Sequence, residues 1–351
     1  MSKCGLIDAG PRGNPQVGKP WPKTIRRKET GMNMKGTTGF LLFVLFLAGL
    51  FAPALSPAVT NLTLGTSSAG GTWYPATQVM AKIIQEEIPG VKVTVMPGGS
   101  VSNIKGTSIG TYDLALAHTQ DIADGLMGAG VFKKKVTNLR GLMNLWTNYV
   151  QIAVRADSNI KTISDLKGKR IAPGQKGWGG EAATRMVLSL YNLSYKDMAK
   201  VEFTGWSGMV DLFKDRHVDA AVACSTAGVS SFQEMSLTGK GIRILPLSDE
   251  AISKADKLNP GYFKNVLPAN TYKGQTTPVP TLGSTTILFC RDNLPNDLAY
   301  KITQALLKRK AELANTLGAF KELTLEFAPK IPAVTLHPGA AKFYKEKGVL
   351  K

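Results

Sequence analysis

The sequence is short of the residues that make most activities easy to assign. It has three cysteines in 351 residues. Only Cys224 and Cys290 lie beyond residue 58. Two are too few for a disulfide scaffold, and a chain of this length does not need one. Each sits in an apolar run ("VDAAVAC", "TTILFC") and reads as a buried free thiol. Histidine is equally sparse. His118, His217 and His337 show no metal-ligand spacing, so no metal or other cofactor is expected. Neither G-x-S-x-G nor G-x-x-x-x-G-K-[ST] occurs, and "GTSSAGG" does not fit the dinucleotide fingerprint. These gaps exclude the best-marked hydrolase, nucleotide-binding and metalloenzyme classes.

Long hydrophobic runs are missing as well. The longest, "GFLLFVLFLAGLFA" (39–52), falls short of the ~20 residues a membrane-spanning helix needs. It follows "MNMK" (32–35) and precedes "PALSPA" (53–58). A basic lead, an apolar centre and small residues are the order of a secretory signal. Residues 1–58 are therefore expected to be an N-terminal extension and signal peptide, cleaved after Ala58 for export to the periplasm. Residues 1–31 carry Pro, Gly and charge without apolar periodicity and cannot build a core. Acidic residues are outnumbered too, 43 basic to 25 acidic. Beyond residue 58 the balance is 35 to 23, or +12. Such an excess suits anionic partners in general. The lysines are scattered without interleaved aromatics, so no nucleic acid is expected.

What is present is a regular alternation. "NLTLGT" and "VKVTVMP" read as strands. "YPATQVMAKIIQEEI" carries Val79, Met80, Ile83, Ile84 and Ile88 on one helical face. "VSNIKGTSIG" reads as a short helix and "YDLALAH" as a strand. After a long strand, "WTNYVQIAVRAD" (146–157), the same order recurs through residue 224. "TPVPTLGSTTILFCRD" (277–292) then returns the chain to the first set, and "DLAYKITQALLKRKAELANTL" reads as one helix packing there. Strand–helix alternation predicts an α/β architecture with a largely parallel sheet. The double pattern predicts two lobes joined by two crossings: 59–150 with 281–351 as lobe I, and 151–280 as lobe II.

Four turns share one composition: "SAGGTWYP", "PGGSVSN", "GQKGWGGE" and "TGWSGM". Each follows a strand and opens a helix, with Pro75 suited to a first turn and Ser100 and Ser207 as candidate N-caps. Such turns line the crevice at the carboxyl ends of the strands in an open α/β sheet. Free N–H groups at helix starts favour anions, and glycine lets a ligand reach the backbone. Tight turn geometry alone explains any one of them; four in matching places point to an anion cleft. His118 ends a strand and reaches toward that cleft. Cys224 does so too, which leaves a thiol nucleophile as an alternative if a base stands beside it.

The segments "LTLGTSSAGGTWYP", "MPGGSVSNI", "YDLALAHTQD", "IKTISDLKGKRIAPG", "VDAAVACSTAG", "NTYKGQ" and "VTLHPGAAKFYKEKG" resemble the TAXI solute receptors. These are extracytoplasmic binding proteins of tripartite ATP-independent periplasmic (TRAP) transporters, and the resemblance runs nearly end to end. It implies a two-lobed periplasmic-binding-protein fold, type II-like, with the ligand cleft between lobes. It also implies a receptor that binds a small organic acid, docks on a TRAP-type membrane permease and needs no cofactor; a monomer is expected. The cleft-lining segments of the family fall here on Gly71, Thr72, Trp73 and Tyr74, on Ser100 and Asn103, on Thr119 and Gln120, and on Gly177 to Gly180. No residue is assigned a catalytic role.

One turn departs from the family. Where a G-S-G-T type turn is usual, this chain has "GWGG". Trp178 replaces the serine and Gly180 the threonine, so two hydroxyl donors are lost and an indole gained. Trp206 adds another indole near the fourth turn. The departure favours a carboxylate with an aromatic or branched body. Two alternatives are a periplasmic enzyme with Cys224 as nucleophile and a ligand-sensing subunit of a membrane kinase.

Overall fold

Strands and helices alternate from Thr60 onward in the computed structural model, which describes residues 59–351. The expected signal peptide and its cleavage after Ala58 lie outside the described residues. The first lobe begins β1 (Thr60–Gly65), α1 (Trp73–Glu87), β2 (Val91–Met96), α2 (Ser100–Ser108), β3 (Leu114–His118), α3 (Thr119–Met127). Strands β1, β2 and β3 pair in parallel. The long β4 (Leu139–Arg155) then leads into a second set: β5 (Arg170–Ala172), α4 (Gly179–Leu190), β6 (Lys200–Val201), α5 (Trp206–Lys214), β7 (Ala220–Ser225). In that set β5 pairs in parallel with both β6 and β7. The second lobe continues with α6 (Ser230–Ser236), β8 (Ile242–Ile244), α7 (Asp249–Leu258) and β9 (Phe263–Leu267). The chain returns through β10 (Val279–Arg291) to α8 (Asn296–Lys308), α9 (Lys310–Thr316) and α10 (Pro338–Glu346).

The strand order is β2-β1-β3-β10-β4-β7-β5-β6, with β8 also on β4 and β9 on β10. The two long strands run antiparallel to each other and join the halves. Both change partner at one level. Strand β10 pairs with β9 up to Gly283 and with β4 from Gly283 on. Strand β4 pairs with β10 up to Tyr149 and with β7 from Tyr149 on. These are the two crossings.

Each half-sheet is covered on both faces, as a parallel sheet requires. In β3, Leu114 and Leu116 point to one core while Ala115 and Ala117 point to another, the two-residue alternation of a strand. In β7, Val222 and Cys224 face one core and Ala221 and Ala223 the opposite one. Both cysteines are free and buried. The helix expected as one piece over 297–317 breaks at Arg309, whose ψ of 26° leaves the helical range. Its guanidinium bonds Glu86 of α1 and Glu312 of α9, which holds the break. The segment "KVEFTG" forms a strand only at Lys200–Val201. Among the described residues, no helix is long and apolar enough to cross a membrane.

Candidate functional site

The four glycine-rich turns converge between the lobes around a cavity of about 40 Å³. Helices α1, α2, α4 and α5 all start there, at Trp73, Ser100, Gly179 and Trp206. None of the four has a side-chain cap. Ser100 and Ser207 are not the caps expected of them. Gly99 and Gly205 hold those positions, so both serines sit inside their helices. The Ser100 hydroxyl instead accepts the His118 N–H at 2.9 Å and fixes the end of β3.

The expected residues divide into two groups. Gly71, Thr72, Trp73, Ser100, Trp178, Gly179, Gly180 and Trp206 line the cavity. Trp73 donates from Nε1 to the Thr286 hydroxyl at 3.1 Å. Thr72 reaches across to the hydroxyls of Ser225 (3.1 Å) and Thr226 (3.3 Å). The other five do not line it. Tyr74 is 41% exposed; one helical step on from Trp73, about 100° round the axis, it meets solvent. Asn103 is fully buried, donating to the carbonyls of Thr66 and Leu116 and accepting the Gly99 N–H. It holds the first two turns together. Thr119 donates to the Gly261 carbonyl at 2.8 Å and accepts the Thr285 N–H. Gln120 donates weakly to Cys224 Sγ at 3.6 Å. Gly177 presents its carbonyl to the N–H groups of Val101 and Ser102 at 3.1 and 3.3 Å.

These contacts change the reading of the turns. The start of α2 is already satisfied by Gly177 from the opposite lobe. Gly177 has φ of 90°, and a Cβ there would lie 2.4 Å from Ser102 Oγ. Two further glycines receive the chain's own indoles. A Cβ on Gly71 would lie 2.4 Å from Trp206 Nε1, and one on Gly99 would lie 2.5 Å from Trp178 Cδ1. The indoles stack at 5.4 Å with a 37° tilt. The turns are bare partly because tryptophans from the other lobe close on them.

Sequence reasoning brought His118 toward the cleft without giving it a role, and did not single out Asp121. His118 lines the cavity and stacks on Trp73 at 4.7 Å. Asp121, three residues on in α3, brings Oδ2 to 3.5 Å from His118 Nδ1, and both side chains are almost wholly buried. The signal was available: a histidine ending a strand, with an aspartate one helical turn later. Asp124, a further turn along, accepts from Asn259 at 2.7 Å across the lobes. Burial, reinforced by the charge of Asp121, pushes the Asp124 carboxyl up to about 6. Cys224 lines the cavity too, but its thiol meets Gln120 and Ser284, neither of them a base. Burial pushes that thiol up to about 12, opposite to what a nucleophile requires. Among the described residues, no group of three His, Cys, Asp or Glu is placed to hold a metal.

A two-lobed α/β sheet with paired long crossings and helix starts converging on the cleft is the type II periplasmic-binding-protein fold of solute receptors. The chain belongs to the NMT1-like family, whose sequence profile matches residues 64–348. Among solved structures it is similar to the alkanesulfonate-binding protein SsuA from Xanthomonas axonopodis pv. citri bound to MOPS. That match has 17% identity, 82% of this chain and 84% of the other covered, and a TM-score of 0.43. A TctC solute binding protein from Polaromonas matches at 17% identity, with 75% and 88% covered and a TM-score of 0.46. A putative L-cystine ABC transporter from Listeria monocytogenes matches at 15%, with 74% and 94% covered and a TM-score of 0.47.

Proposed function

We propose that this protein is an extracytoplasmic receptor, of the TAXI kind, that captures a small organic anion and delivers it to a TRAP-type permease. It is exported on residues 1–58, works as a monomer, and closes 59–150 with 281–351 against 151–280 around its ligand. The observation that carries the reading is the cavity itself: helix starts without side-chain caps meet buried indoles in one enclosed place. Helix N-termini contribute about 0.3–2 kcal/mol each to a bound anion. A micromolar ligand needs about 8 kcal/mol, so the apolar body must supply the remainder at ~25 cal/mol per Å² buried. That favours a carboxylate with an aromatic or branched body, lying against Trp73, Trp178 and Trp206. The free space of about 40 Å³ is a few water volumes, so such a body enters as the two stacked indoles move apart.

The test is a thermal-shift and tryptophan-fluorescence screen of carboxylates, including phenylacetate, isovalerate and glutamate. A cognate acid at ~100 times its Kd adds about 2.7 kcal/mol of stability. It also shifts the emission of the cleft indoles. A screen in which sulfonates, amines or sugars bind and no carboxylate does would overturn the ligand class. Native mass spectrometry of the exported protein identifies the resident ligand directly.

A further inference from the structure

We infer that His118 is the side chain that receives the ligand's anionic group, with Asp121 as its positioning residue. The inference rests on the proposed anion-receptor function and adds the group that reads the anion. Four observations converge. His118 lines the cavity. Its side chain is only 6% exposed. Neither ring nitrogen has a hydrogen-bond partner, although buried polar groups are normally paired. The Asp121 carboxylate stands 3.5 Å from Nδ1 and is not part of the lining.

The geometry assigns the roles. With Asp121 beside Nδ1 and Trp73 against the ring face, Nε2 is the nitrogen left for a ligand. In the imidazolium form both nitrogens donate: Nδ1–H to Asp121 and Nε2–H to a ligand carboxylate. Asp121 then offsets the histidine charge, and the ligand's charge is met by the helix starts. Trp73 and the Ser100 hydroxyl, which holds the His118 backbone, fix the ring. A neutral amide in the ligand's place would lose the charge-assisted bond.

The groups facing this pair are few. Asp121 and Asp124 lie on its own helix, Cys224 comes from β7, and Tyr262 lies close to both acids. The start of α4 abuts it from the opposite lobe: a Cβ on Gly179 would lie 2.1 Å from His118 Nδ1 and 2.7 Å from Asp121 Oδ2. Closing the lobes therefore seals the pair from water.

The experiment compares phenylacetate and isovalerate with phenylacetamide and isovaleramide by calorimetry, on the exported protein and on His118→Phe and His118→Gln. Phenylalanine keeps a ring against Trp73 and removes the donor; glutamine keeps a donor. The acid-over-amide preference should fall about tenfold or more in H118F, as loss of a hydrogen bond to a charged group predicts, and H118Q should recover much of it. A preference unchanged within twofold in H118F overturns the assignment. A parent that binds neither acid removes the anion-receptor reading and this assignment with it. Acids that bind parent and H118F alike remove only the role of His118. Melting curves show that each variant is folded, and Asp121→Asn should weaken acids while sparing amides.

Discussion

Gly71→Ala isolates the contact between the lobes more cleanly than any other single change. Gly71 is not among the residues at positive φ, so a methyl group costs nothing in backbone strain. Its removal of unfolded-state freedom is worth about 0.4–1 kcal/mol in favour of the fold. The obstacle is Trp206. The new Cβ would lie 2.4 Å from Nε1, 3.0 Å from Cε2 and 3.2 Å from Cδ1, where relaxed contacts are about 3.5–4.0 Å. The indole has little room to retreat, being 9% exposed and stacked on Trp178. Overpacking of this kind costs about 1–3 kcal/mol. Only the closed arrangement bears that cost, because the two residues sit on opposite lobes. The closed-to-open ratio should therefore fall about 5- to 150-fold, and ligand affinity with it, while the melting temperature without ligand holds or rises slightly. Spin labels report the change directly. Ile109, at the end of α2, and Leu237, at the end of α6, are 79% and 71% exposed on opposite lobes. Cysteines placed there, with Cys224 and Cys290 changed to serine, give a distance distribution by electron resonance. A G71A distribution identical to the parent's, with unchanged affinity, would refute the idea that Trp206 docks on this glycine as the lobes close.

Three further outcomes are expected. Trp178→Ser should weaken phenylacetate and isovalerate and lower stability by about 3 kcal/mol or more, the scale of a large-to-small core change. Equal binding of all acids by calorimetry would make Trp178 a packing residue only. The Cys224→Ser, Cys290→Ser protein should bind within a few-fold of the parent; a turnover lost with the thiols would reverse the assignment as a binding protein. Asp124 titrates in the opposite sense to a paired surface carboxylate. Its folded-state value of about 6 lies above the ordinary 3.8, so its favourable contribution is complete below the unfolded value and is lost as pH rises through about 6. Asp124→Asn should thus stabilise the protein at pH 7.5 by about 1–2 kcal/mol, discounted for partial exposure, and by much less at pH 4. Melting temperatures across that range check the sign, and a pH-independent difference would refute it.

Much of the fold was legible because its strands and helices carry their own periodicities. "LALA" (114–117) is apolar without a break because both faces of β3 are covered. Val79, Met80, Ile83 and Ile84 share one face of α1 because that face packs on the sheet. The four turns were also legible, since strand-to-helix turns with glycine are local features. What they bind was less so. Gly71 and Gly99 are bare for the sake of Trp206 and Trp178, and nothing local says that distant tryptophans arrive there. Ser100 and Ser207 looked like caps because composition marks a cap region but not its first residue; the preceding glycines took the position. Trp73 and Tyr74 are neighbours in sequence, yet a helix turns about 100° per residue, so one lines the cleft and the other meets solvent. The break at Arg309 depends on carboxylates from two helices, one of them far along the chain. His118 was read as reaching toward the cleft but given no role, because three scattered histidines suggested no site, and Asp121 was not singled out. Their pairing depends on one ending a strand and the other lying in the first turn of the next helix.

Tyr149 and Gly283 are register partners, and at that level both long strands trade one set of neighbours for another. The consequence is mechanical. The two strands are bonded to each other, so neither bends alone, and the pair behaves like the spine of a book with one fold line. Opening would follow one path, whichever ligand starts it and wherever in the cleft that ligand is held. Ligands of different shape then yield a single closed outline, and a partner that recognises the outline needs no knowledge of the cargo.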